Sequence, residues 1–211
     1  MSIIRLENIF KSFGERNLFT NLSMEIDQGD FVSIMGESGA GKTTLLNIIG
    51  MLEQPDKGSV TICGQQSWGF SSRTATMLRR NHISYLMQNY GLVDTETVEY
   101  NLAISARFKK LSKAQKKLLF SSALEQIGLP GYEKRKIYTL SGGEQQRVAL
   151  AKIIVKSPQL ILADEHTGSL DARNRDTVLA ALRHFNEEGK TIVVVTHDPT
   201  VNACTKKHIH L

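Results

Sequence analysis

Gly36-Glu37-Ser38-Gly39-Ala40-Gly41-Lys42-Thr43-Thr44, residues 36–44, satisfies the pattern G-x-x-x-x-G-K-[ST] at every fixed position. The pattern carries meaning only between a strand and a helix, and both flanks fit. Phe31-Val32-Ser33-Ile34-Met35 is a short, apolar, β-branched run that reads as a buried strand, and Leu45-Leu46-Asn47-Ile48-Ile49 reads as the first turns of a helix. Glycines let successive backbone N–H groups turn inward around an anion, and the helix start adds unpaired donors and the positive end of its dipole. Lys42 is placed to reach β- and γ-phosphates, and the Thr43 hydroxyl to ligate Mg²⁺. The stretch implies binding of a nucleoside triphosphate.

Working outward, the 211 residues suffice for one domain with a real core, with room for a subdomain. No run approaches the roughly 18 consecutive apolar residues of a membrane helix, and the first residues, Met1-Ser2-Ile3-Ile4-Arg5-Leu6-Glu7, alternate like a strand rather than forming a signal peptide's apolar stretch. Cys63 and Cys204 have no metal-ligand spacing and read as reduced thiols of a cytosolic protein. A net charge of +5 is accounted for by a solvated basic surface, and no nucleic-acid partner is expected from it.

Residues 3–9 and 22–26 alternate apolar with polar, as half-exposed antiparallel strands do. The helix that opens at Lys42 is expected to run to about Leu52 and to be stopped by Gln54-Pro55-Asp56-Lys57-Gly58. A strand at 59–63, a loop at 64–72, a helix at 73–80 and a strand at 83–87 follow. The character then changes: residues 89–156 carry helical spacing and almost no strand signal, with Ser112 and Gln115 forming a capping box for a helix over 114–127. Strands return at 160–163 and 191–196, separated by a helix over 172–188 with Asp171 as its N-cap and Gly189 after its end. Asp198-Pro199 looks like a further helix start, and residues 208–211 like a last short strand. The fold class expected is α/β: a P-loop NTPase core of mostly parallel sheet with helices, formed by 1–88 and 157–211 and including an antiparallel β part, and an α-helical subdomain, 89–156, inserted into it.

Two further stretches carry chemistry. Leu160-Ile161-Leu162-Ala163-Asp164-Glu165 places two carboxylates at the carboxyl end of a strand, where open α/β sheets bind ligands. Asp164 suits Mg²⁺, directly or through water, and Glu165 suits orienting and deprotonating an attacking water; an acidic pair that merely precedes a helix is the alternative. Leu140-Ser141-Gly142-Gly143-Glu144-Gln145-Gln146 contains a second capping box, Ser141 with Glu144. Two glycines just inside a helix are poor helix formers, and they make sense if another molecule's phosphate must approach that backbone; an ordinary capped helix is the alternative.

Together these stretches resemble the ATP-binding-cassette (ABC) ATPases. Residues 140–146 resemble the family's signature motif, lying in family order between the phosphate loop and the acidic strand end. Gln88 at a strand end resembles the Q-loop glutamine, Ser169-Leu170-Asp171 the D-loop, and His197, after the 191–196 strand, the switch histidine. Phe13 stands where the family has the aromatic that stacks on adenine. Residues 38–50 and 88–92 resemble the macrolide-export and lipoprotein-releasing subgroup. One departure is His166, where that subgroup usually has proline.

The resemblance implies ATP with Mg²⁺ as ligands and a head-to-tail homodimer. Each ATP would lie between one protomer's Phe13 and phosphate loop and its partner's Ser141, Gly142 and Gly143, with Asp171 nearby. Glu165, His197 and Gln88 would serve hydrolysis, with Thr43, Gln88 and Asp164 toward the metal. It implies a cytoplasmic protein, peripheral to the inner face of the cell membrane through separate transmembrane permease subunits, that powers export of a peptide, lipoprotein or hydrophobic compound. A mechanotransmitting ATPase, signalling across the membrane without transport, is the alternative.

Overall fold

The structure, a computed structural model, describes residues 1–67, 72–87, 90–164, 172–196 and 199–211, with only the backbone at Ser67 and over 172–175. Two sheets organise it. Strands β1 (Ser2–Phe13), β2 (Arg16–Asp27), β4 (Lys57–Ile62) and β5 (Gln65–Ser67) form an antiparallel sheet in the order β2-β1-β4-β5. Strands β3 (Phe31–Met35), β6 (Ile83–Leu86), β7 (Leu160–Asp164), β8 (Thr191–Val195) and β9 (Lys207–His210) form a parallel sheet in the order β6-β7-β8-β3-β9. The α/β class and both sheet types are as the sequence reading expects.

Helix α1 (Lys42–Ile49) lies between the sheets. Its Leu45, Leu46, Ile48 and Ile49 are fully buried in one cluster with Ile4, Leu6 and Ile62 of the antiparallel sheet and Ile34, Leu162 and Val193 of the parallel sheet. The opposite face of the parallel sheet packs on α5 (Gly142–Lys156) and α6 (Ala172–Glu187). Successive strand residues point to opposite faces. Leu160 and Leu162 therefore meet α1's cluster, while Ile161 and Ala163 meet the α5 and α6 cluster. Burial on both faces is why these strands read as unbroken apolar runs. Helices α3 (Val98–Ser105) and α4 (Lys113–Gln126) build a third cluster against α5. Helix α5 belongs to both: Ala149, Leu150 and Ile153 face the sheet, and Val148, Ala151 and Val155 face α3 and α4.

Three local expectations change. The first two strands pair from Ser2↔Asp27 to Phe13↔Arg16, so the hairpin reaches well past residue 9. Backbone pairing carries the polar tip around a turn in which Gly14 takes a positive φ of 58°. Residues 65–67 are a strand, β5, inside the stretch expected to be loop. Helix α1 ends at Ile49 rather than near Leu52, because Gly50 caps it. Tyr85 on β6 explains that glycine: its hydroxyl donates to the Leu46 carbonyl at 3.0 Å, and a Cβ on residue 50 would fall 1.5 Å from the hydroxyl oxygen. Burial pushes the Tyr85 hydroxyl pKa up, so it stays protonated and able to donate.

The last strand, β9, is held by side chains as well as backbone. Ser33 Oγ on β3 donates to Asn202 Oδ1 at 2.7 Å, and Ser33 Oγ and His208 Nδ1 on β9 are 2.9 Å apart. Thr205 closes the group, its hydroxyl donating to the Asn202 carbonyl at 2.7 Å.

Gly50→Ala is expected to destabilise the protein by about 1–3 kcal/mol, the usual cost of overpacking a filled core. Urea unfolding would measure it. In a Tyr85→Ala background the same substitution should cost clearly less, since the clashing ring is gone.

Candidate functional site

Register sets the site. In the parallel sheet Ile34 lies opposite Val195, Asp164 opposite Val195, and Leu86 opposite Ala163. The carboxyl ends of β3, β6, β7 and β8 are therefore aligned along one edge. The phosphate loop leaves β3 there, and Asp164 is the last residue of β7. Gln88, Glu165, His166, Asp171 and His197 lie outside the described residues.

The loop, residues 36–44, turns from β3 into α1 as the motif requires. Gly41 adopts φ 98° and leaves α1 without any side-chain cap. Helices α2 (Arg73–Asn81), α3, α4 and α5 each start on a serine or threonine that accepts a first-turn N–H: Ser72, Thr97, Ser112 and Ser141. At α1 those donors and the positive end of the dipole are left to a ligand. Gly41 is also sterically required, since a Cβ there would come within 2.7 Å of Leu18 and 2.9 Å of Phe19. Within the loop, Ala40 N–H donates to the Glu37 carbonyl at 3.1 Å. Lys42 is buried, and its ammonium donates to the carbonyls of Gly36 at 3.0 Å and Glu37 at 2.8 Å. The Thr43 hydroxyl donates to Asp164 Oδ1 at 3.3 Å, so two residues far apart in sequence present adjacent oxygens to the loop. Two such hard oxygen donors are suited to Mg²⁺, which keeps waters or phosphate oxygens for its other positions.

A cavity of about 350 Å³ opens beside the loop. Ser38, Gly39, Gly41, Lys42, Thr43 and Thr44 line one side of it, and Phe13, Arg16 and Leu18 the other. Phe13 is half exposed there. Arg16 and Leu18 are not legible from the sequence as site residues. Arg16 reaches the loop because β2 folds over it, and its guanidinium donates to the Gly39 carbonyl at 2.9 Å. Only the hairpin register, which pairs Phe13 with Arg16, reveals this.

Ser141, Gly142 and Gly143 do not line this cavity. They open α5, where Ser141 and Gly142 are exposed. Both arms of the capping box form: Ser141 N–H donates to Glu144 Oε2 at 2.8 Å, and Glu144 N–H donates to Ser141 Oγ at 3.4 Å. Tyr132 adds a hydroxyl bond to Glu144 Oε1 at 2.9 Å. The bonds from Ser141, backbone and side chain, and then that from Tyr132, hold the Glu144 carboxyl below its ordinary pKa. Among the described residues a Cβ at Gly142 would meet only the Tyr90 hydroxyl, at an ordinary 3.7 Å, so none of them demands glycine there.

A strand, a glycine loop and an uncapped helix, with an acidic strand end hydrogen-bonded to the loop's threonine, define a P-loop nucleotide-binding protein. Comparison with known proteins narrows the class. Residues 19–168 match the ABC transporter family model, and the chain belongs to that family as an ATP-binding cassette. It is 37% identical over 215 residues to a macrolide export ATP-binding/permease protein, MacB, of Mannheimia succiniciproducens, covering all of this chain and 33% of that one. The chain thus spans about a third of the length of such relatives. It is 35% identical to an uncharacterized ABC transporter ATP-binding protein, YknY, of Bacillus subtilis, covering 97% of this chain and 91% of that one. Among solved structures, the ATP-binding cassette MJ0796, a dimer in a post-hydrolysis state with ADP and Pi, superposes with a TM-score of 0.87 at 35% identity, covering 99% of this chain and 94% of that one.

The capping box gives a pH dependence with a definite sign. A carboxylate with a depressed folded-state pKa stabilises the fold above its unfolded pKa, and that contribution is lost as pH falls through the folded value. Wild type should therefore be more stable than Glu144→Gln near neutral pH. The difference should shrink as pH falls below the ordinary glutamate value of 4.5. Thermal melts of the two proteins across that range would read it.

Proposed function

We propose that this chain binds and hydrolyses ATP with Mg²⁺ as one of a head-to-tail pair of cassettes. The observation that carries the reading is the junction of Thr43 with Asp164 beside an uncapped α1. In this reading the first-turn N–H groups of α1 and the Lys42 ammonium hold the phosphates. Lys42 exchanges its two carbonyl partners within the loop for them. Thr43 and Asp164 would hold Mg²⁺, which would supply charge neutralisation for the transferred phosphoryl group. Glu165 orients and deprotonates the attacking water, His197 contacts the γ-phosphate, Gln88 senses metal and water, and Phe13 stacks on the adenine.

The second half of the site comes from the partner protomer. Exposure of Ser141 and Gly142, and the lack of any reason for glycine at 142 among the described residues, support an approach by a phosphate bound elsewhere. Helix α5 then brings Ser141, Gly142 and Gly143 of one chain to the γ-phosphate held by its partner's Lys42, with Asp171 at the same interface. The assembly works with a transmembrane permease at the cytoplasmic face of the membrane. Among the described residues no helix is long and apolar enough to cross one. The cargo class that fits the macrolide-exporter likeness is a hydrophobic, peptide-like or lipidated compound.

Two measurements test the reading. Glu165→Gln should retain ATP binding, slow turnover by roughly two orders of magnitude or more, and accumulate an ATP-bound dimer. Turnover within about threefold of wild type would move the base elsewhere. For the shared site, Lys42→Ala and Ser141→Arg should each be nearly inactive as homodimers. A mixed dimer concentrates both lesions in one site and leaves the other whole. ATP-driven association, followed by light scattering, should return on mixing. A mixture no better than its parents would mean that Lys42 and Ser141 act within one chain.

A further inference from the structure

Lys11 is a lysine in an unusual place. It is nearly buried, and its ammonium donates to the Gln54 carbonyl at 2.8 Å. It also lies 2.6 Å from Glu53 Oε1 and 3.5 Å from Asp56 Oδ1. The same segment grips the next residue: Ser12 N–H and Ser12 Oγ both donate to Asp56 Oδ2, at 2.7 and 2.8 Å. In turn Asp56 N–H donates to the Phe10 carbonyl at 2.8 Å. Residues 10–12 of β1 are thus fastened to the stretch that follows α1, the phosphate-loop helix.

The fourth contact of the Lys11 ammonium is the Phe13 ring, whose centroid is 4.9 Å away. Lys11 and Phe13 are two residues apart on a strand, so their side chains leave on the same face. The ring itself is half exposed and lines the nucleotide cavity. An exposed phenylalanine with nothing behind it has rotamer freedom to lose when a base stacks on it. With a fixed cation over one face, the ring is ordered beforehand and its other face is left for the base.

We propose that Lys11 is a positioning residue for nucleotide recognition: anchored by Glu53, Gln54 and Asp56, it holds the Phe13 ring ready for the adenine. The inference rests on the reading of Phe13 as the base-stacking aromatic. It also links the base site to the phosphate site, since Lys11 takes its position from the segment that ends α1's turn.

The test compares ATP with inorganic tripolyphosphate, which offers phosphates and no base, by calorimetric titration of four proteins: wild type, Lys11→Met, Phe13→Ala and the double variant. Methionine keeps the length and apolar stem of lysine and removes the charge. Lys11→Met should weaken ATP binding about threefold to fivefold, the range of an exposed cation–π contact, and leave tripolyphosphate unchanged. In the Phe13→Ala background it should change nothing further. Because methionine leaves Glu53 without its cation, Lys11→Met with Glu53→Gln is carried as a second variant with the same expected results. Equal weakening of both probes, or a full Lys11 effect in the absence of Phe13, would show that Lys11 supports the loop and not the ring. Weakening by Phe13→Ala without any by either Lys11 variant would overturn the positioning role alone. Wild-type ATP affinity in Phe13→Ala would overturn the stacking reading and the inference with it.

Discussion

The first turn of α1 must stay uncapped, and much of the molecule follows from that. A helix whose N-terminal donors await a ligand forgoes the capping that Ser72, Thr97, Ser112 and Ser141 give α2, α3, α4 and α5. Short and without an N-terminal side-chain cap, α1 cannot draw much stability from its own hydrogen bonds. Burial between two sheets supplies it instead, with four aliphatic side chains wholly removed from water. The same packing fixes where the loop points. Gly41 touches the hairpin so closely that no side chain fits, and Gly50 does so against Tyr85 at the other end. The helix is gripped at both termini by contacts that tolerate no added atom.

Helix α5 solves a different problem. Its amino end must be exposed while its body joins two hydrophobic clusters, and its sequence meets both demands. The capping box satisfies the backbone at the exposed end without burying anything. Farther along, apolar residues occupy two stripes, one toward the sheet and one toward α3 and α4. Helices α3 and α4 thus pack on the body of the same helix that carries the exposed amino end. Lysines tie α5 to other elements as well: Lys152 donates to the Gly91 carbonyl, and Lys156 to those of Arg79 on α2 and Ile83 on β6. Burial, and then the neighbouring Lys152 charge, lower the Lys156 pKa to about 8, so this ammonium gives up its proton more readily than an exposed lysine does.

What could be read from the sequence had a local physical cause. The phosphate loop, both capping boxes and the strands buried on two faces are each set by residues within a few positions of one another. What escaped depends on partners far away in the chain. The hairpin tip is polar and shows no apolar alternation, so its pairing out to Phe13 and Arg16 is invisible until the strands are laid side by side. Strand β5 exists because β4 offers it an edge. The end of α1 is decided by a tyrosine on β6. Arg16, Leu18 and Lys11 carry no motif, and only tertiary structure brings them to the nucleotide cavity or to the ring that lines it.

Strand order has a consequence for how the site comes into being. Strand β3 is made well before its two neighbours in the sheet, β8 and β9. Until they emerge, the strand that delivers the phosphate loop has both edges unpaired, and Ser33 lacks its partners on 202 and 208. Non-local pairing of this kind is slow, because the intervening chain must first be closed into a loop. The phosphate loop is thus synthesised well before the strands that frame it, and it gains its setting only once they have paired. During translation, competence to bind nucleotide marks completion of the sheet, and a chain stalled before residue 191 holds the whole motif without the framework that makes it work.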